Sequence, residues 1–319
     1  MNRPTRERAR WIAAAQRGDK SGAGLLMGML FNGQESPYWR AVAADLLWQW
    51  SDDPKVKATL LQLLQDDHPL VREQAIKSLE PRLNDGDGDV AVALRPMLNA
   101  PVRNVRVAAA WVLRASLDTN SLAGKELIAM LDFNADQPVG QYRKAMFCLD
   151  RGDPPKALAH FPTAATWDPL SPPIRLKTAE VLSQLGRTND SLHEFEILCQ
   201  QNPNSADFQF RLGLALVNAH QVEAAVQIFR RVIQLDTGHV QGWYNLALAL
   251  SAAGQTDESL AALDHASYLA PRDPQIPYAR AKIFIRAKRY EEARASAQKA
   301  LILDPRFQPA QNLVKSLTR

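Results

Sequence analysis

A chain of 319 residues, 46% apolar and 23% charged, is long enough to bury cores for about two domains and too apolar to be a disordered segment. Its net charge is only +4. Charge is balanced over residues 1–137, and the basic excess gathers in residues 280–319, where ten Lys and Arg stand against three acids; so weak an overall balance does not by itself argue for nucleic acid, and a nucleic-acid-binding repeat protein acting through this basic end is the less favoured alternative.

In chain order, the first residues are basic (Arg3, Arg6, Arg8, Arg10), which could suggest a leader peptide. The apolar stretch Trp11 to Ala15 is too short for a leader core. The longest membrane candidate, Gly22 to Phe31, has about half the length a bilayer needs. The chain as it stands is therefore expected to be soluble and cytoplasmic, with no membrane insertion.

Three segments then share one pattern, an apolar helix, a short polar turn, and an arginine followed by Ala and Leu at helical spacing. They are Tyr38-Trp39-Arg40-Ala41, Leu70-Val71-Arg72 and Val105-Arg106-Val107-Ala108, with the arginines 32 and 34 residues apart. Asp66-Asp67-His68-Pro69 resembles the turn of a HEAT repeat, with proline starting the second helix and acids near its N-terminus. Residues 1–120 are expected to form HEAT-like helical repeats. The repeated arginines are expected to be structural, bridging to acidic groups of neighbouring turns. Within this region Asp85, Asp87 and Asp89 alternate like the start of a calcium loop, but positions six and twelve are Val90 and Pro96, where glycine and glutamate are needed. An acidic turn capping the next helix is the better reading.

Ser121 to Phe133 reads as a connecting helix and Asn134 to Gln137 as a hinge, so that 121–137 links two arrays. From Pro138 the chain falls into five units of 34 residues, 138–171, 172–205, 206–239, 240–273 and 274–307. Position eight is small throughout (Ala145, Ala179, Gly213, Ala247, Ala281), and so is position twenty (Ala157, Ser191, Ala225, Ser259, Ala293). Position twenty-four is Phe161, Phe195, Phe229, Leu263 and Ala297. The unit ends on Pro169, Pro203, Thr237, Pro271 and Pro305, because proline cannot continue a helix. The inter-helix turn at position fifteen is Gly152, Gly186, His220, Gly254 and Lys288, where a positive φ suits glycine. This register resembles the tetratricopeptide repeat, a helix–turn–helix unit. Lys144, Thr178 and Arg280 depart from its usual leucine at position seven. Residues 308–319 add a capping helix whose outer face would carry Lys315 and Arg319. The fold class expected is all-α, a right-handed α-α superhelix of HEAT-like repeats followed by tetratricopeptide repeats.

The opening Arg-Trp-Ile-Ala-Ala-Ala-Gln-Arg-Gly-Asp (10–19) and the linker Asn-Ala-Asp-Gln-Pro (134–138) resemble the C-terminal repeat region of bacterial multihaem c-type cytochromes. That resemblance implies a periplasmic auxiliary role beside an electron-transfer domain. No haem site carries over, because Cys148 and Cys199 form neither a CxxC pair nor a CxxCH motif. Both cysteines fall in apolar helical patterns and are expected to be small buried residues; a disulfide between them stays open.

No catalytic constellation is present: the six histidines form no HExxH pair, and no phosphate loop or nucleophile elbow appears. No enzyme activity, cofactor or metal is therefore expected. The resemblance to tetratricopeptide repeats places positions two, five, six, nine, twelve and thirteen on a concave groove. Position five is Tyr142, Leu176, Phe210, Tyr244 and Tyr278, and position six is Arg143, Lys177, Arg211, Asn245 and Ala279. An aromatic row beside a basic row would suit a protein or peptide with acidic and apolar residues. Glu180 and Asp207 stand near enough in sequence to neutralise the basic row instead. A chaperone tail is not the expected ligand, because its carboxylate clamp would need Lys and Asn where Tyr142 and Met146 stand. The chain is thus expected to be a protein-interaction scaffold.

Overall fold

The computed structural model describes residues 4–19 and 21–317. Arg3 and Arg319 lie outside the described residues, as does the side chain of Arg6. Among the described residues every regular element is helical and there is no strand. The chain forms two compact units, Met1–His160 and Phe161–Arg319.

The first unit contains α1 (Pro4–Gln16), α2 (Gly22–Leu30), α3 (Pro37–Leu46), α4 (Pro54–Leu63), α5 (Pro69–Ser78), α6 (Glu80–Asn84), α7 (Gly88–Leu94), α8 (Arg103–Val112), α9 (Leu122–Phe133) and α10 (Pro138–Asp150). Proline opens α3, α4, α5 and α10, where its missing N–H costs no helical hydrogen bond. The alternating-aspartate segment is a capping turn, as expected: Asp87 precedes α7, accepts from the Val90 N–H and is ion-paired to Lys57 and Arg82. α3 packs on α5, α5 on α8 and α8 on α9. Their apolar faces close over a core that includes Leu26, Met29, Leu47, Leu60, Ile76 and Leu79, all fully buried.

The repeated arginines are structural. Arg40 pairs with Asp66 at 2.5 Å. Arg72 donates to the carbonyls of Asp66 and Asp67 at 2.5 and 3.2 Å. Arg106 donates to Ala100 and Pro101 at 2.7 and 3.0 Å, and grips both oxygens of Glu126.

α11 (Pro154–Trp167) carries the chain from the first unit into the second. There follow α12 (Pro172–Gln184), α13 (Thr188–Gln201), α14 (Ala206–Asn218), α15 (Val222–Leu235), α16 (Val240–Ala252), α17 (Thr256–Leu269), α18 (Gln275–Arg286), α19 (Tyr290–Leu303) and α20 (Gln308–Leu317). Each 34-residue frame holds one helix pair. Positions eight, twenty and twenty-four are buried in all five frames. The two position-twenty serines add a tie across the pair: Ser191 Oγ donates to the Ala179 carbonyl at 2.8 Å, and Ser259 Oγ to the Ala247 carbonyl at 2.7 Å. Position fifteen has positive φ in every frame, including at His220 and Lys288, both at 59°. The left-handed turn is therefore kept even where the residue is not glycine.

A further tie was not read from the sequence. A side chain in the first turn of a helix reaches back six residues to a carbonyl of the preceding turn. Gln141 does so to Ala135, Arg175 to Pro169, Trp243 to Thr237 and Gln311 to Pro305, at 2.6 to 3.0 Å. Arg72 and Arg106 make the same six-residue reach to Asp66 and Ala100 in the HEAT-like segment.

The departures at position seven each find partners. Lys144 pairs with Asp132 at 2.7 Å, Thr178 Oγ1 donates to Ile174, and Arg280 pairs with Asp264 at 2.6 Å. α20 packs on α19 and leaves Lys315 exposed. One expectation needs correcting. Cys199 is buried, but Cys148 is only half-buried, and both are free thiols. Cys148 occupies position eleven, which Leu182, Leu216, Leu250 and Phe284 fill and close in the other frames; the thiol is too small to do so.

Candidate functional site

Of the residues expected in the groove, Tyr142 and Arg143 lie on α10 in the first unit. Lys177, Phe210, Arg211, Tyr244, Asn245 and Tyr278 lie on α12, α14, α16 and α18 in the second. All of the second-unit residues are half-buried.

The aromatic row does not stand free. Phe210 leans on Phe229 and on His239, with centroids 5.9 and 4.9 Å away. Tyr278 meets Phe307 edge-on at 5.4 Å. In both cases position five packs on the last residue of its own frame. Tyr244 packs on the same core; burial, then the fields of Asp273 and Tyr278, pushes its phenol above the ordinary range.

The two second-unit members of the basic row are neutralised in place. Glu180 holds Lys177 at 2.7 Å and Arg211 at 3.0 Å, and Asp207 takes Arg211 Nε at 3.0 Å. Two cations and two carboxylates thus cancel. Asn245 donates back to the Gln241 carbonyl of its own helix. Glu180, Ser183, Gln184, Arg211, Leu214 and Asn218 line an open pocket of about 250 Å³. These are positions six, nine, twelve and thirteen, so the first helices of adjacent frames do share this surface.

Two features were not read from the sequence. Leu214, Val217 and Leu248 are exposed on the same helices, 36 to 41% accessible. Beyond them on α18 stand Lys282 and Arg286, both exposed. Lys282 Nζ sits 5.9 Å from the Tyr278 ring centre and Arg286 donates to Ser251 Oγ at 3.3 Å. Neither has an ion-pair partner among the described residues. The signal was available at position nine, which reads Glu180, Leu214, Leu248 and Lys282 along consecutive frames.

Among the described residues no helix is long and apolar enough to cross a membrane, and no group of three or more His, Cys, Asp or Glu side chains could hold a metal ion.

The paired helices, the 34-residue frame and the buried small positions define a helical repeat protein. The family models agree: HEAT repeats match residues 25–116, and tetratricopeptide repeats match 176–240 and 216–283. The chain is a repeat protein of HEAT and tetratricopeptide type. The TPR repeat-containing protein YpiA of Bacillus subtilis is 22% identical over 275 residues, which cover 84% of this chain and 64% of that protein. The chain thus spans less than two thirds of that relative's length. The uncharacterized protein MJ0572 of Methanocaldococcus jannaschii is 30% identical over 59 residues, covering 18% of this chain and 69% of that one. Among solved structures, YrrB, described as a TPR protein with an unusual peptide-binding site, superposes with a TM-score of 0.50 at 18% identity, covering 59% of this chain and 97% of its own. MamA from Desulfovibrio magneticus RS-1 gives a TM-score of 0.49 at 20% identity, covering 53% of this chain and 96% of that one.

Proposed function

We propose that this chain is a non-catalytic interaction scaffold whose second unit binds an extended protein or peptide segment with acidic and apolar residues. The observation that carries the reading is the surface of α14, α16 and α18. There an exposed apolar strip (Leu214, Val217, Leu248) leads to two cations, Lys282 and Arg286, that no carboxylate of the described chain holds. Apolar side chains of the ligand would cover the strip, and its acids would reach the cations. The half-buried Lys177, Phe210, Arg211, Tyr244, Asn245 and Tyr278 would form the floor and walls. Tyr142 and Arg143, which the repeat positions would add, lie on α10 in the first unit and are left out of this proposal. YrrB, which shares the fold, is described as having a peptide-binding site; here the reading rests on the strip and the cations.

The experiment is a selection of peptides on the full chain, followed by anisotropy with the best binder. Lys282→Glu with Arg286→Glu is expected to weaken it by about tenfold or more. Arg211→Glu, whose cation is already held by Glu180 and Asp207, is expected to weaken it less. Equal affinity for wild type and the Lys282/Arg286 variant, with helicity intact, would place the ligand elsewhere. The competing reading, an auxiliary domain of a periplasmic electron-transfer protein, rests on residues 10–19 and 134–138, and an encoded haem-binding region upstream would favour it.

A further inference from the structure

The first unit carries a second candidate site that the groove reading does not use. α5, α8, α9 and α10 enclose a depression of about 490 Å³. Its floor is apolar, made by Val107, Trp111 and Met130, which are half-buried against the core beneath. That volume accommodates a large side chain together with a short stretch of backbone.

Most of the polar groups on its rim are already satisfied by one another. Glu73 holds Lys77 at 2.6 Å and accepts from Asn104 at 2.5 Å. Glu80 pairs with Arg114 at 2.6 Å. Two cations are left over. Arg103 and Arg143 are both exposed, and neither has an ion-pair partner among the described residues. Glu126 lies within the field of Arg103, but Arg106 takes both of its oxygens, at 2.5 and 2.8 Å. Arg143 stands 5.9 Å from the centre of the Trp111 ring, over the apolar floor.

We propose that this depression anchors a peptide segment in which a large apolar side chain is flanked by carboxylates, independently of the groove in the second unit. The apolar group would cover Val107, Trp111 and Met130, and the carboxylates would pair with Arg103 and Arg143. The occupant is a peptide rather than a nucleic acid for two reasons. Two separate cations across an apolar floor suit two single carboxylates and give no continuous basic track for a polyphosphate backbone. The Trp111 ring already has the Arg114 guanidinium over it at 4.4 Å, which takes a face a base would need for stacking. A second, smaller depression of about 180 Å³ lies at the equivalent positions of α3 and α5, between Tyr38, Val42, Leu70 and Gln74. Tyr38 is 60% exposed there. An extended segment leaving the larger site would meet a further apolar contact along the same row of helices.

The test uses the full chain and a fluorescein-labelled peptide of alternating glutamate and phenylalanine, one phenylalanine replaced by a photoreactive benzoylphenylalanine. Crosslinks to the segment 103–111 or to Met130, and a loss of about tenfold or more in affinity for Arg103→Glu/Arg143→Glu, are the expected results. Both arginines are exposed, so the variant should keep the wild-type circular dichroism spectrum. Lys282→Glu/Arg286→Glu, in the second unit, should leave the crosslinks at 103–111 and 130 in place. Absence of binding, crosslinks confined to other segments, or affinity unchanged in the Arg103/Arg143 variant would each overturn the proposal. So would tighter binding of a single-stranded oligonucleotide that displaces the peptide from this site.

Discussion

Gly213 offers the sharpest test of the packing. It occupies position eight of the third frame, where the other frames have alanine. A Cβ built on it would lie 2.6, 2.9 and 2.9 Å from three ring atoms of Phe229, against an ordinary contact of 3.4 Å or more. Phe229 is fully buried and has Phe210 beside it, so the ring has little room to retreat. Gly213→Ala gains about 1 kcal/mol in helix propensity. It loses roughly 1–3 kcal/mol to overpacking. Because the ring is fully buried, the upper part of that range applies and the net is a loss of about 1–2 kcal/mol. The first two frames seat alanine with phenylalanine at positions eight and twenty-four (Ala145 with Phe161, Ala179 with Phe195), so the clash belongs to the pose Phe229 takes beside Phe210; the fourth frame, with Ala247 and Leu263, shows that a smaller residue at twenty-four also fits. Phe229→Leu in the Gly213→Ala background should therefore recover stability, making the double variant at least about 1 kcal/mol more stable than the two single losses predict. Gly28→Ala is the control: its Cβ would meet nothing within 4 Å, so the change should stabilise by up to about 1 kcal/mol. Urea unfolding reads the totals, and amide exchange in α14 and α15 reads the local effect, since repeat arrays open in parts. A Gly213→Ala variant as stable as wild type, or additivity in the double variant, would refute the reasoning.

His220→Gly and Lys288→Gly remove side chains from left-handed backbone and should each raise stability by about 0.5–1 kcal/mol, read by thermal melting; a loss at either site would mean its side chain does more than tolerate the turn. The hydrogen bond from Arg106, and then its field, hold the Glu126 carboxyl below the usual carboxylate range. The folded value being depressed, this contact stabilises above the unfolded carboxylate value and fades as pH falls through the folded one. Arg106→Ala should therefore lower stability at pH 7, and the gap to wild type should narrow on acidification below about pH 4. Burial pushes the Cys199 thiol up to about 11. At pH 8 it should resist alkylation in the native chain and react on denaturation; prompt labelling of Cys199 in folded protein would contradict its burial.

The repeat frame and the helix pairs are legible in the sequence. Two helices packed closely need a small residue where they touch, a large one to fill the gap beside it, and a left-handed residue between them. Those needs recur every 34 residues and leave a legible periodicity from Ala145 to Ala297. The arginines of the HEAT-like segment were legible for the same reason, as one residue type returning at one spacing. The six-residue reach from Arg72 to Gln311 was not, because Arg, Gln and Trp all serve as the donor and no single residue type marks the position. Which charges remain available for a ligand was legible only in part: Lys177–Glu180 and Arg211–Asp207 lie three and four residues apart on one helix, and packing between helices settled the rest. Arg143, Lys177 and Arg211 read as one basic row, yet stacking brings Glu180, already beside Lys177 on its own helix, onto Arg211, 31 residues away. An ion pair forms between whichever side chains packing brings within about 3 Å, and in this chain it leaves Arg103, Arg143, Lys282 and Arg286 without a carboxylate among the described residues.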